Sequence, residues 1–206
     1  MQDASMALEI HPVTPDRWPD LVDLFERPGP RGSWPRTSAC YCMFWRLPPA
    51  DYEDAFRARS LEASGGGPNK EALQRLVDDG RVPGLIAHRD GQAVGWASVS
   101  PRAHLERLQH VPFAPDDDPA DERAWSAACF YVHRSHWRAG VGAALLEAAV
   151  RRAQDHDASS IEGYPVKAGS IDPYTGYDTM FARHGFELVR PGRGKGRALW
   201  RRRLSG

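Results

Sequence analysis

No stretch of this chain is apolar for long enough to cross a bilayer, which takes about 20 consecutive apolar residues, so no membrane span or membrane partner is expected. The opening MQDASMALEIHP has no basic segment leading into an apolar block, so no secretory leader is read and a cytoplasmic location is expected. Cysteine is scarce. Cys40, Cys42 and Cys129 cannot all pair within one chain and do not form a disulfide framework, so reduced thiols are expected. Cys40 and Cys42 also lack a second thiol pair spaced for tetrahedral zinc, and no metal site is expected. Net charge is missing as well: basic and acidic side chains number 27 each, which leaves no global field to draw nucleic acid. The imbalance is local. Acidic residues gather at Asp116, Asp117, Asp118, Asp121 and Glu122, and arginines crowd the end from Arg190 to Arg203 together with Lys195. No aromatic-basic platform accompanies those arginines, so they read as a solvated strand face.

What is present is a globular composition, 41% apolar and 26% charged over 206 residues, enough for one domain with a core of its own. Residues 1–206 are read as that single domain, with a helical and loop elaboration at about 27–80. Leu8 to His11 reads as a strand, and Thr14-Pro15 opens a helix running to about Glu26. Arg27 to Pro49 is rich in Pro, Gly and Arg but contains CYCMFW, which predicts a loop with a buried middle. That middle either fills core or lines an acceptor pocket. A second helix starts at Asp51 and Asp54 and stops near Gly65-Gly66-Gly67; a third spans about Lys70 to Asp79, with Leu73, Leu76 and Val77 on one face.

At Leu85 the hydrophobic period changes from helical to alternating. LIAHRDGQAVGWASVS is two runs around Asp90-Gly91, the signature of a β-hairpin. The polar connection Arg102 to Arg123 is long enough to carry binding residues. Strands are expected at SAACFYV (Ser126 to Val132), SIEGYPV (Ser160 to Val166), from Phe186, and at ALWRRRL. Val141, Leu145 and Ala149 recur every four residues and place a helix from Gly140 to about Asp155, while a short helix precedes Gly185.

Gly140 and Gly142 stand where that helix begins, in HWRAGVGAALLEAA. The first amides of a helix have no partner within it, and together with the helix dipole they bind anions if the backbone can be approached closely. Glycine permits that approach, and Arg138 adds a positive charge beside it, so a diphosphate is the natural guest. The alternative is that the glycines only allow tight packing of the helix start. A nucleotide P-loop is excluded because no Gly-Lys-Ser/Thr follows. A dinucleotide fingerprint fails on three counts: its third small residue falls at Leu145, the loop His133 to Ala139 is too long, and too little chain follows for a doubly wound sheet.

The turn WRAGVG after the strand FYV, followed later by HGFELV, resembles the GNAT N-acetyltransferase superfamily over Leu85 to Leu204 and, loosely, over the first helix. In that family the turn reads Arg/Gln-x-x-Gly-x-Gly/Ala; here Trp137 holds the first position and Arg138 follows it. The resemblance implies an α/β fold of the α+β type: a mixed, mostly antiparallel central sheet flanked by helices, with extra helices in the N-terminal third. It implies acetyl-CoA as co-substrate, with its diphosphate on Arg138, Ala139, Gly140, Val141, Gly142 and Ala143 and its pantetheine arm along Tyr131, Val132 and His133. It implies an amine acceptor, an oxyanion donor at the Val132 amide, a glutamate base on the fourth strand and a tyrosine acid.

Two of those groups are missing from their places. Ser126 stands where the glutamate would be, and Phe181, counted among the cofactor contacts, stands where the tyrosine would be. Glu162 on the neighbouring strand is the first substitute base, either facing the cleft or sitting on a solvated edge, and His104, Glu106 and His110 are others. Tyr174 and Tyr177 are the substitute acids, or else merely pack. A chain that kept the cofactor turn and lost the base would be an acyl-CoA-binding sensor or interaction module, which stays open beside the N-acetyltransferase. Composition does not fix the oligomeric state and is compatible with a homodimer.

Overall fold

The computed structural model describes residues 7–28, 37–60, 67–113, 121–170, 174–194 and 196–204. Of the residues named above, Gly65, Gly66, Asp116, Asp117, Asp118 and Lys195 lie outside those ranges. No helix among the described residues is long and apolar enough to cross a membrane, and Cys40, Cys42 and Cys129 are free thiols.

Strand β1 (Glu9–Pro12) leads into a 3-10 turn (Pro15–Arg17) and then α1 (Trp18–Glu26). The α-helix starts later than the sequence signal because Thr14 does not cap it: the Thr14 hydroxyl turns instead to Asp16 Oδ1 at 2.5 Å. Leu21, Leu24 and Phe25, spaced three and four apart, bury one face of α1 against the sheet. Among its described residues, the expected loop 27–49 contains a helical turn, α2 (Thr37–Cys40), and a 3-10 turn (Met43–Trp45). Its middle is buried as expected, with Tyr41, Cys42, Met43 and Trp45 in the core. Helices α3 (Pro49–Ser60) and α4 (Gly67–Asp78) follow.

The hairpin is formed by β2 (Gly84–Arg89) and β3 (Gln92–Pro101). Asp90 and Gly91 both have positive φ, 53° and 73°, the conformation that matches strand twist across a two-residue turn. After two 3-10 turns (Arg102–His104 and Glu106–His110) come β4 (Ala124–Val132), α5 (Val141–Gln154), β5 (Ser160–Gly163), α6 (Asp178–Arg183), β6 (Glu187–Arg190) and β7 (Leu199–Arg203). The strands form one sheet in the order β1-β2-β3-β4-β5-β7-β6. Only β4 and β5 run parallel among the described strands; the other pairings are antiparallel. The sheet separates two apolar layers. One holds Phe25, Tyr41, Trp45, Trp96 and Tyr164 beneath the N-terminal helices; the other holds Val141, Leu145, Ala149, Phe130 and Phe181 beneath α5 and α6.

Two irregularities shape the sheet beside the candidate cleft. On the β3 side, Ser98 faces Cys129 and Val99 faces Ala127, so Ala128 is an extra residue and β4 bulges there. On the other side, β4 and β5 stay paired only from Ala124/Ser160 to Ala127/Gly163. The strand expected to reach Val166 therefore ends at Gly163, while β4 runs on to Val132 and the two diverge. Phe181 underlies the point of divergence: a β-carbon on Gly163 would lie 2.0 Å from its ring. Replacing Gly163 by Ala is expected to lower stability by about 1–3 kcal/mol through overpacking, read as a lower urea midpoint at an unchanged m-value.

Candidate functional site

The loop after β4 is fixed before the helix begins. The His133 amide donates to the Val94 carbonyl at 2.9 Å, a 3-10 turn (Arg134–His136) follows, and the Trp137 indole N–H donates back to the Val132 carbonyl at 2.8 Å. Arg138 and Gly140 take positive φ, 61° and 77°, which reverses the chain into α5. The first helical hydrogen bond runs from the Ala144 amide to the Gly140 carbonyl, so the amides of Val141, Gly142 and Ala143 precede the ladder.

The glycines are not explained by tight packing. Gly140 is needed for its left-handed backbone, since a β-carbon there would meet nothing within 4 Å. At Gly142 a β-carbon would touch Met180 Sδ at 3.6 Å, ordinary contact, so the fold asks for glycine there neither by φ nor by crowding.

The helix start opens onto a cleft of about 810 Å³. Its one wall is Arg138, Gly140, Val141, Gly142 and Ala143; its back is the free end of β4, Phe130, Tyr131 and Val132; its far wall is Tyr174, Gly176, Tyr177 and Met180. His136 and Trp137 complete the rim, and Trp137 is 65% exposed. Burial, with help from nearby arginines, lowers the pKa of His136, so this imidazole is neutral near pH 7. The Phe130 amide donates across the divergence to the Tyr174 carbonyl at 2.6 Å, whereas the His133 amide points to β3. Strand alternation therefore turns the Val132 amide to the cleft side as well.

Nine of the residues singled out in the sequence thus share one cavity: Tyr131, Val132, Arg138, Gly140, Val141, Gly142, Ala143, Tyr174 and Tyr177. His133, Ala139, Phe181 and Glu162 do not line it. Phe181 is wholly buried, edge-to-face with Phe130 and Phe186, and belongs to the core. The His133 ring bonds the Ser135 hydroxyl at 2.7 Å. Residues not foreseen are Phe130, His136, Gly176, Met180 and the Trp137 side chain; Met180 had a legible signal, since it sits three residues after Tyr177.

Glu162 is neither cleft-facing nor on a solvated edge. It is wholly buried, and its Oε1 accepts from Arg102 Nη1 at 3.1 Å and from Arg201 Nε and Nη2 at 3.0 and 2.6 Å. Its Oε2 accepts from the Tyr164 hydroxyl at 3.1 Å, and that hydroxyl meets Ser126 Oγ at 2.7 Å. Burial, and then the Glu162 charge, push the Tyr164 phenol far above its ordinary range, so it stays protonated. Ser126 lies in register opposite Glu162, so the network closes over the paired part of β4 and β5. His104 faces Glu122 at 3.6 Å beyond the β3 end of the sheet, and Glu106 and His110 are exposed away from the cleft. Replacing Glu162 by Ala leaves the Arg102 and Arg201 guanidiniums facing each other without their carboxylate; the expected loss is about 3–5 kcal/mol of unfolding free energy, measured by urea denaturation.

No curated protein matches the chain in sequence. Among solved structures it is similar in fold to an N-acetyltransferase, PaiA, of Thermoplasma acidophilum in complex with coenzyme A, at 12% identity and TM-score 0.54 over 97% of this chain and 100% of that one. It is similar to the GNAT family N-acetyltransferase YhbS of Escherichia coli in complex with CoA, at 16% identity and TM-score 0.54 over 100% of this chain and 86% of that one. YncA of Salmonella typhimurium, a putative acetyltransferase with its cofactor acetyl-CoA, gives 14% identity and TM-score 0.51 over 97% and 95%. The model of the acetyltransferase (GNAT) family matches residues 38–168, more than half of the sequence, and reaches from the buried N-terminal turn through the glycine turn to just past β5: the chain belongs to that family.

Proposed function

We propose that the protein moves the acetyl group of acetyl-CoA to a primary amine of a small molecule or peptide, by direct attack within a ternary complex. The observation that carries this reading is the continuity of the cleft: a helix start with unladdered amides and Arg138 at one end, and the run of β4 no longer paired with β5, with the Val132 amide, at the other. Family membership supports acetyl transfer in general, and the CoA-bound PaiA and YhbS structures support acetyl-CoA as the donor.

In this reading the amides of Val141, Gly142 and Ala143 and the Arg138 side chain hold the diphosphate, and Tyr131 and Val132 guide the pantetheine arm. The amine nitrogen attacks the thioester carbon, the carbon–sulfur bond breaks, the nitrogen loses a proton and the departing thiolate gains one. The Val132 amide stabilises the oxyanion. Tyr177 or Tyr174, both on the cleft wall, supplies the thiol proton. Glu162 is assigned to holding β5, β7 and the 102–110 segment together, because both its oxygens are engaged. No carboxylate is among the described residues lining the cleft, so the amine enters neutral and gives its proton to water.

A second reading, an acyl-CoA-binding sensor, is favoured by that same lack of a carboxylate. Release of free thiol across an amine panel separates the two: tight acetyl-CoA binding without amine-dependent turnover establishes the sensor. For the enzyme, kcat/KM is expected to rise tenfold per pH unit below the pKa of each amine, with an inflection that moves from amine to amine. An inflection fixed near pH 6 to 7 for every amine would reveal a protein base and overturn the assignment. Y177F is expected to lower kcat by about 10²-fold while sparing KM for acetyl-CoA. G142E, which puts a carboxylate in the diphosphate seat, is expected to abolish acetyl-CoA binding in calorimetry at an unchanged Tm; retained affinity would refute the cofactor assignment.

A further inference from the structure

A second cavity, of about 310 Å³, lies at the other end of the sheet, where β3 ends and β4 begins. Trp125 in its wall and Val132 in the first cleft occupy opposite ends of β4, roughly 23 Å apart at about 3.3 Å per residue. The two cavities share no lining residue.

The lining is basic. Arg46 comes from the N-terminal elaboration, Arg81 from the approach to β2, and Arg152 from the last turn of α5, with His104 and His156 beside them. No acidic residue lines it among those described. The acidic groups nearest in electrostatic terms are Glu122, which faces His104 at 3.6 Å, and Asp155, which acts on Arg152. Burial, with a smaller contribution from Arg46 and Arg81, lowers the His104 pKa against the pull of Glu122, so the charge here is carried by the arginines.

None of the three arginines forms an ion pair among the described residues. Arg46 is 9% exposed, and its Nη2 donates to the Pro83 carbonyl at 2.7 Å and to the Ser98 and Ser100 hydroxyls at 3.3 and 3.5 Å. Its Nε is buried with no hydrogen-bond partner, and so is that of Arg152. Burial, and to a lesser degree the charge of Arg81, bring the Arg46 pKa down to about 10, so it remains a cation at neutral pH without a counter-charge. Buried donors left without acceptors are unfavourable, and an anion with several acceptor oxygens supplies what such guanidiniums lack.

Size and walls narrow the guest. The cavity is about ten times the liquid volume of one water, more than a bare tetrahedral ion fills. Leu47, Leu76 and Met43 supply apolar wall, and His156 stacks on Trp125 at 5.1 Å between ring centroids. We infer that this cavity binds a small phosphorylated molecule, its phosphate held between Arg46, Arg81 and Arg152 and its short carbon body against the apolar wall.

Glycerol phosphate tests this on the full chain with the first cleft filled by CoA, read by calorimetry and by tryptophan fluorescence, since Trp125 is in the wall. The expected result is one mole bound per mole of chain, at a Kd below about 1 mM, against far weaker binding of glycerol or acetate. The R81A/R152A double variant, which alters side chains that are exposed or half-buried, is expected to lose at least tenfold of that affinity with Tm and CoA affinity unchanged. An absence of binding, equal binding by the variant, or binding to free protein that CoA displaces would each overturn the inference. Because CoA affinity is measured in the same samples, failure of the acetyl-CoA reading is seen separately.

Discussion

The candidate cleft depends on β4 and β5 parting company. A parallel pair that stayed in register to the end of both strands would satisfy the amides of Phe130 and Val132 within the sheet and leave no gap. Here the pairing lasts only as far as Ala127 and Gly163. Beyond it the free side of β4 meets a loop carbonyl, that of Tyr174, and then opens onto the cleft. The bulge at Ala128 acts from the β3 side of the same strand, adding local bend and twist at the level where separation begins. Phe181 packs directly against Gly163, the last paired position, so closely that any side chain there would collide with its ring.

The fork is held from below by charge. Glu162 is the innermost carboxylate of the sheet, and it joins β5 to β7 through Arg201 and to the 102–110 segment through Arg102. Burying an ion costs several kcal/mol, and that cost is recovered only when the remaining lone pairs are satisfied. Tyr164 satisfies the far oxygen and ties in Ser126 on β4. A rigid base for the diverging strands results, with both oxygens of the carboxylate engaged in holding it.

How much of this the sequence carried depends on the range of the interactions involved. The hairpin was legible because Asp90-Gly91 and the alternation around it are local, and the helix start was legible because Gly140 and Gly142 break a rule of helix composition at its first turn. The environment of Glu162 was not, since its partners lie 60 and 39 residues away and nothing in SIEGYPV announces two arginines. Phe181 is a similar case: four residues before Gly185 it stands where the tyrosine would be and reads as a cofactor contact, but its ring is buried against Gly163, Phe130 and Phe186. The late start of α1 has a local cause instead, a competing Thr14–Asp16 contact that propensity does not weigh.

On the proposed function, a cleft with no carboxylate among its described lining residues still permits useful chemistry, and magnitudes show why. A positioned general base contributes about 10²- to 10⁴-fold, whereas bringing two reactants together in the right geometry reaches effective molarities of about 10⁵–10⁸ M. Losing the smaller factor is tolerable when the larger is kept, provided the nucleophile arrives unprotonated. The cost falls on basic alkylamines, of which only a small fraction is neutral near pH 7, and is slight for amines of low pKa such as a peptide α-amino group, near 8. On the proposed function, an acceptor that arrives neutral without help from a carboxylate is favoured, which ranks weakly basic amines above lysine-like ones before any pocket contact is counted.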